Sequence, residues 1–171
     1  MPEGSSDTID RLHAQLLNRQ RKIKVDTRLL RKNLDQLSKI LSRELPAEAE
    51  VSLVLVSDAR IRQLNRDFAN INEVTDVLSF PVYDGIPLPD EEVGELGDII
   101  VSVETAQKQM GTKERAGHPK TQDLREEILL LFVHGFLHLI GYDHGTSKEA
   151  QIMIAKEHEI LSELRLAGWS P

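Results

Sequence analysis

From Ile128 to Ile140 the chain reads ILLLFVHGFLHLI, a stretch in which His134 and His138 are the sole polar side chains. A helix that is apolar all the way round has no face to give to water. Such a helix must occupy the middle of the fold, with the other elements arranged around it. The pattern predicts this helix over about 121–140, and Gly141 is placed to end it in the left-handed conformation that commonly closes helices. Its longest unbroken apolar run, Ile128 to Val133, is far short of the roughly 20 residues that span a bilayer, so no membrane partner is expected.

The rest of the chain supplies elements to surround such a helix. Asp26 is suited to cap a helix running to about Ser42, with Leu29, Leu30, Leu34, Leu37 and Leu41 on one side. Lys22–Val25 and the β-branched run Val51–Val56 read as strands, as do Val77–Val82 and Ile99–Val103. Helices are expected at Asp58–Phe68, with Ile61, Leu64 and Phe68 at helical spacing, and at Glu104–Arg115. The sequence Thr146 to Glu149 has the form of a capping box (T-x-x-E) that opens a last helix to about Leu166. The expected fold is α/β, with α+β open as the alternative: a small mixed sheet of about four strands, strand senses undecided, covered by helices around the central one.

At 171 residues the chain suits one domain. The boundaries expected are a poorly ordered or helical extension over 1–18, a single main domain over 19–166 and a tail over 167–171. Cysteine is absent, which removes disulfides and thiolate chemistry and leaves His, Asp and Glu as metal ligands; it also fits a cytoplasmic location. The formal net charge of −7 speaks mildly against a nucleic-acid partner, but its distribution is uneven. Between Arg19 and Arg43 nine basic residues face two acidic ones, whereas Asp84 to Asp98 holds six acids and no base. The basic stretch reads either as a solvated surface or as an RNA-contacting one, with Arg19, Arg21, Lys22 and Lys24 as its candidate contacts.

The chemistry concentrates in VHGFLHLIGYDH. His134 and His138 stand four apart on the expected helix, so successive turns bring both imidazoles to one face. After Gly141 breaks the helix, the turn through Tyr142 and Asp143 can return His144 to the same point. Three neutral imidazoles with a fourth tetrahedral position left open describe a catalytic zinc site with one ion per chain. An isolated imidazole in so aliphatic a helix would be costly, which favours a shared ligand over three unrelated histidines. The spacing H-x-x-x-H-x-x-G-x-x-H also resembles that of metzincin proteases, which carry a glutamate general base directly after the first histidine; Gly135 stands there in this chain.

The segment HGFLHLIGYDH, together with TDVLSFP from Thr75 to Pro81, LGDI from Leu96 to Ile99 and LN at Leu64 and Asn65, resembles the YbeY family of endoribonucleases over about Arg21 to Leu164. The resemblance implies an α/β fold, zinc on the three histidines and a cytoplasmic enzyme that cuts single-stranded RNA in ribosomal RNA maturation and ribosome quality control. It implies the small ribosomal subunit as a partner, and Thr75 and Ser79 as residues of the cleft. One position departs from it. The family commonly carries an arginine where Ala69 follows Phe68 here, and Arg66 is the candidate to replace its guanidinium, with Arg62 also near in sequence. A non-catalytic, ribosome-associated zinc protein and a zinc protease stand as alternatives to the nuclease.

Among the remaining ionisable residues, Asp143 is a candidate to orient a ligand imidazole or else an exposed turn residue. Glu127 is expected to be a buried carboxylate tying its helix to neighbouring backbone. His118 reads as a surface residue, and His13 and His158 offer no site.

Overall fold

The computed structural model describes residues 10–112 and 117–167. Its elements are β1 (Leu12–Asn18), α1 (Thr27–Leu41) with a short 3-10 turn (Ser42–Glu44), β2 (Ala49–Val56), α2 (Asp58–Ala69), β3 (Val77–Pro81), β4 (Gly94–Ser102), α3 (Val103–Gln109), α4 (Leu124–Leu139) and α5 (Ser147–Leu166). The strands lie in the order β1-β2-β4-β3. β1 and β4 run parallel to β2, and β3 runs antiparallel to β4. The sheet is therefore mixed and four-stranded, as expected, and its strand senses are settled.

Alternation sorts the two faces of this sheet. Leu12 and Leu16 of β1, Val51, Leu53 and Leu55 of β2, and Ile99 and Val101 of β4 all enter the main core. The same core takes Leu30, Leu34, Leu37 and Leu41 of α1, most apolar residues of α4, and Met153, Ile160, Leu161 and Leu164 of α5. On the opposite face α2 closes a smaller cluster of Val56, Ile61 and Ile100. The central helix behaves as its composition requires: Ile128 through Val133 are at most 1% exposed.

Local chemistry sets most boundaries. Asp26 caps α1 by accepting from Leu29 N–H at 3.0 Å, and Thr146 and Glu149 form the reciprocal capping box of α5. α4 starts at Leu124, capped by Asp123, rather than at Thr121; Thr121 instead donates its hydroxyl to buried Glu127 at 2.6 Å. α3 ends at Gln109, and the last residues of the helix expected there, 113–115, lie outside the described residues.

Two expectations fail. Lys22–Val25 is not a strand: the Gln20 side chain accepts from Ile23 N–H and donates to Ile23 carbonyl, both at 2.9 Å, and closes a local turn. The first strand lies within the segment expected to be a poorly ordered or helical extension. Leu12, Ala14 and Leu16 alternate with His13 and Gln15, and this period of two pairs Leu12 with Ala49 and Leu16 with Leu53. β4 also begins earlier than expected, at Gly94, with a register shift between Glu50 and Val51 opposite Leu96.

Candidate metal centre

α4 ends in a turn built by its own backbone. Gly141 N–H donates to the His138 carbonyl at 3.1 Å and Tyr142 N–H to the Leu137 carbonyl at 2.9 Å, the paired bonds of a Schellman motif. Gly141 sits at φ +102°, a conformation that side chains other than glycine rarely adopt. The reversal carries His144 back beside α4. Its ring centroid lies 4.9 Å from that of His138 and 5.7 Å from that of His134.

The hydrogen bonds fix which nitrogens are left to bind. His138 Nδ1 lies 3.0 Å from the Tyr142 carbonyl, and a carbonyl can only accept, so Nδ1 carries the proton and Nε2 keeps its lone pair. His134 Nδ1 lies 2.7 Å from Glu157 Oε1 and is fixed in the same tautomer. The two Nε2 atoms then face one another at 3.2 Å. Two ligands about 2.0–2.1 Å from one tetrahedral ion would be roughly 3.3 Å apart, so the donor set fits a metal ion. One ligand atom from each of the three histidines lies within 4.8 Å of the others. Burial, with the neighbouring His134 and His144 adding to it, holds His138 below the usual imidazole range despite the Tyr142 carbonyl and Asp143. A low value favours the neutral, ligating form.

The histidines open onto a cleft of about 720 Å³ whose walls include Thr75, Ser79, Pro81, Tyr83 and Asp143. A larger groove of about 830 Å³ runs along β1 and α1 but contains none of the three histidines; the smaller cleft is the one with chemistry. Gly135 explains how α4 comes so close to the sheet. A Cβ there would stand 2.7 Å from Ile99 Cγ2 and 3.0 Å from Ser79 Oγ. The glutamate that a metzincin carries at this position has no room.

The other sequence candidates scatter. Thr75 and Ser79 line the cleft, and Ser79 Oγ donates to the Gly135 carbonyl at 3.3 Å. Arg66 is exposed on α2, its Nε 3.1 Å from Asp67, and does not line the cleft. Arg62 is tied to Asn72, and Ala69 is exposed at the end of α2. Arg19, Arg21, Lys22 and Lys24 are all exposed just beyond β1, at the end of the sheet where β3 begins but on the opposite edge, three strand spacings or about 14 Å across. Asp143 accepts from His144 N–H at 2.7 Å and so holds the turn rather than an imidazole. His13 is exposed on β1, and His158 Nε2 lies 2.7 Å from the Gly117 carbonyl.

The carboxylate that does meet one of the three imidazoles is Glu157 of α5, a residue that sequence reasoning passed over. Its side chain is 0% exposed, and its second oxygen lies 2.5 Å from His118 Nδ1. His118 is thus a partner of this carboxylate and not a plain surface residue. Burial pushes the Glu157 carboxyl up, yet the bonds from His118 and His134 outweigh it and hold the group below the usual carboxylate range. A signal was present in the sequence. Met153, Glu157, Ile160, Leu161 and Leu164 form the buried stripe of α5, and a lone charge in an apolar stripe calls for a partner.

Three imidazoles converging in an open cleft, two from the central helix of a mixed α/β fold and one from the turn that follows it, have the form of a metal-dependent hydrolase site. The family described as Endoribonuclease YbeY matches residues 15–165. A protein of Pelotomaculum thermopropionicum named Endoribonuclease YbeY is 42% identical over 151 residues, covering 87% of this chain and 95% of its own. One of the same name from Desulforamulus reducens is 40% identical over 151 residues, covering 86% and 94%. The solution structure of a protein from Thermotoga maritima shares the fold at a TM-score of 0.55 and 24% identity, covering 91% of this chain and 94% of its own. The chain belongs to the YbeY family of endoribonucleases.

Proposed function

We propose that this YbeY endoribonuclease cuts single-stranded RNA during ribosomal RNA maturation in the cytoplasm, with one zinc ion held by His134, His138 and His144 and the small ribosomal subunit as its setting. The observation that carries the metal assignment is the pair of Nε2 atoms facing each other at 3.2 Å while both Nδ1 atoms are committed elsewhere. Zinc bound there supplies the positive charge that polarises a phosphoryl oxygen and acidifies water. The chain does the rest. Glu157 and the Tyr142 carbonyl hold two ligand rings in the ligating tautomer, and Thr75 and Ser79, whose hydroxyl hydrogens are donated to Asp76 and to the Gly135 carbonyl, present acceptor oxygens along the cleft wall. Arg19, Arg21, Lys22 and Lys24 draw the phosphate backbone to one end of the sheet. Arg66 acts on that backbone from the face of α2 outside the cleft, in place of the guanidinium missing at Ala69.

The second reading, a non-catalytic zinc protein on the ribosome, rests on Ala69 alone. A cleavage assay on single-stranded ribosomal RNA separates the two. The nuclease reading expects cutting by the zinc-loaded wild type and faster cutting by Ala69→Arg. Zinc-loaded wild type that binds the RNA and leaves it whole would favour the binding protein.

A further inference from the structure

Glu157 is a fully buried carboxylate in the apolar stripe of α5, a position that is costly unless both oxygens are satisfied. Both are, and by different segments: Oε1 by His134 of α4 and Oε2 by His118 of the loop before α4. An ionised carboxylate can only accept, so both imidazoles turn an Nδ1–H toward it. For His134 that leaves Nε2 aimed at Nε2 of His138. A tie that merely joined α5 to α4 would work through either ring nitrogen; here the one used is the one that frees the ligand atom.

We infer that Glu157 is a positioning residue that sets the affinity of the three-histidine site for its metal, and that His118 acts on the metal through Glu157 although it is not a ligand. The inference rests on the metal reading above. His118 donates to the second oxygen, which holds the carboxylate aligned on His134 while the Glu157 side chain is closed to water. Without His118 the second oxygen loses that donor and the carboxylate is free to rotate off His134. Carboxylate partners of ligand histidines typically alter metal affinity 10–100-fold when removed.

The test is zinc binding by competition with a chromophoric chelator, run on wild type, Glu157→Gln, His118→Gln and the double variant, with thermal unfolding of each metal-free protein alongside. Glutamine keeps the shape of Glu157 but lacks its charge and has one oxygen acceptor for two Nδ1–H donors. The expected result is a zinc dissociation constant 10–100-fold higher in Glu157→Gln, a smaller rise in His118→Gln, and a double variant no worse than Glu157→Gln alone, the non-additivity of residues acting as one unit. Metal-free unfolding should shift far less than the zinc affinity. Should Glu157→Gln not fold, His118→Gln carries the test, since its side chain is 21% exposed. Wild-type zinc affinity in either folded variant, or strictly additive losses, would overturn the inference and leave the metal site standing. Wild type that binds no zinc would overturn both.

Discussion

Gly135 shows how far a single missing side chain can decide the chemistry of a site. The first histidine of the motif is followed by a residue that must let α4 lie against Ile99 and Ser79, and the same close approach denies the position to a general base. Gly135→Ala should destabilise the fold by about 1–3 kcal/mol, the usual cost of overpacking a filled core, read as a lower urea midpoint with an unchanged slope. An alanine variant as stable as wild type would mean that the helix stands off the sheet. The convergence of His134, His138 and His144 was legible in the sequence because they are close together in the chain and flank a glycine that reverses it. The apolar stripe around Glu157 signalled a buried charge, but its partners His134 and His118 could not be named, because they meet it only once α5 and the loop before α4 are packed. Asp143 was a reasonable candidate from its place beside His144, but in so short a turn its nearest donor is the backbone N–H.

The elements are joined by polar contacts at their ends as much as by the core. Asp58, the first residue of α2, accepts from Ser102 Oγ and Thr105 Oγ1, both at 2.6 Å, and pairs with Lys108 Nζ at 2.9 Å, while its own N–H donates to Glu104 at 2.7 Å. Burial raises the Asp58 carboxyl, but the two hydroxyls and Lys108 outweigh it and leave the group below its ordinary value. A depressed value in the folded state means that the stabilisation is complete above the unfolded carboxylate value and is lost as pH falls through the folded one. Asp58→Asn should therefore be less stable than wild type at neutral pH, and the gap should close on acidification through the carboxylate range. A gap constant over that range would remove Asp58 from the pH dependence. Thr146→Ala should cost α5 about 1 kcal/mol through loss of its capping box, visible as a lower thermal midpoint. Helix starts such as Asp26 and Thr146 were readable because a cap is local chemistry. β1 was missed because an edge strand of this length gains its identity from the partner it pairs with, and Lys22–Val25 offered a competing alternation that a glutamine side chain folds into a turn.

At the scale of the whole molecule, an acidic chain carries a basic stretch at one end of its sheet, and its histidine-lined cleft opens beside the antiparallel edge strand. No described helix is long and apolar enough to cross a membrane. If Arg21 and Lys24 hold RNA phosphates, replacing both by alanine should weaken single-stranded RNA binding at low salt and flatten the plot of log K against log salt by about 1.4. An unchanged slope would make them solvated surface charges. The mixed sheet and its central helix were legible as a class from the composition of α4 and the strand-like runs, whereas the strand senses and the convergence of α5 on the site depend on tertiary packing. The central claim is that the three histidines form one metal centre that cuts RNA. The direct measurement is cleavage of single-stranded ribosomal RNA by one preparation assayed zinc-loaded, stripped by chelator and reloaded, beside His138→Ala. The expected result is cutting that disappears with the metal, returns with it and falls to background in the variant; equal cutting by the stripped protein and by His138→Ala would contradict the account.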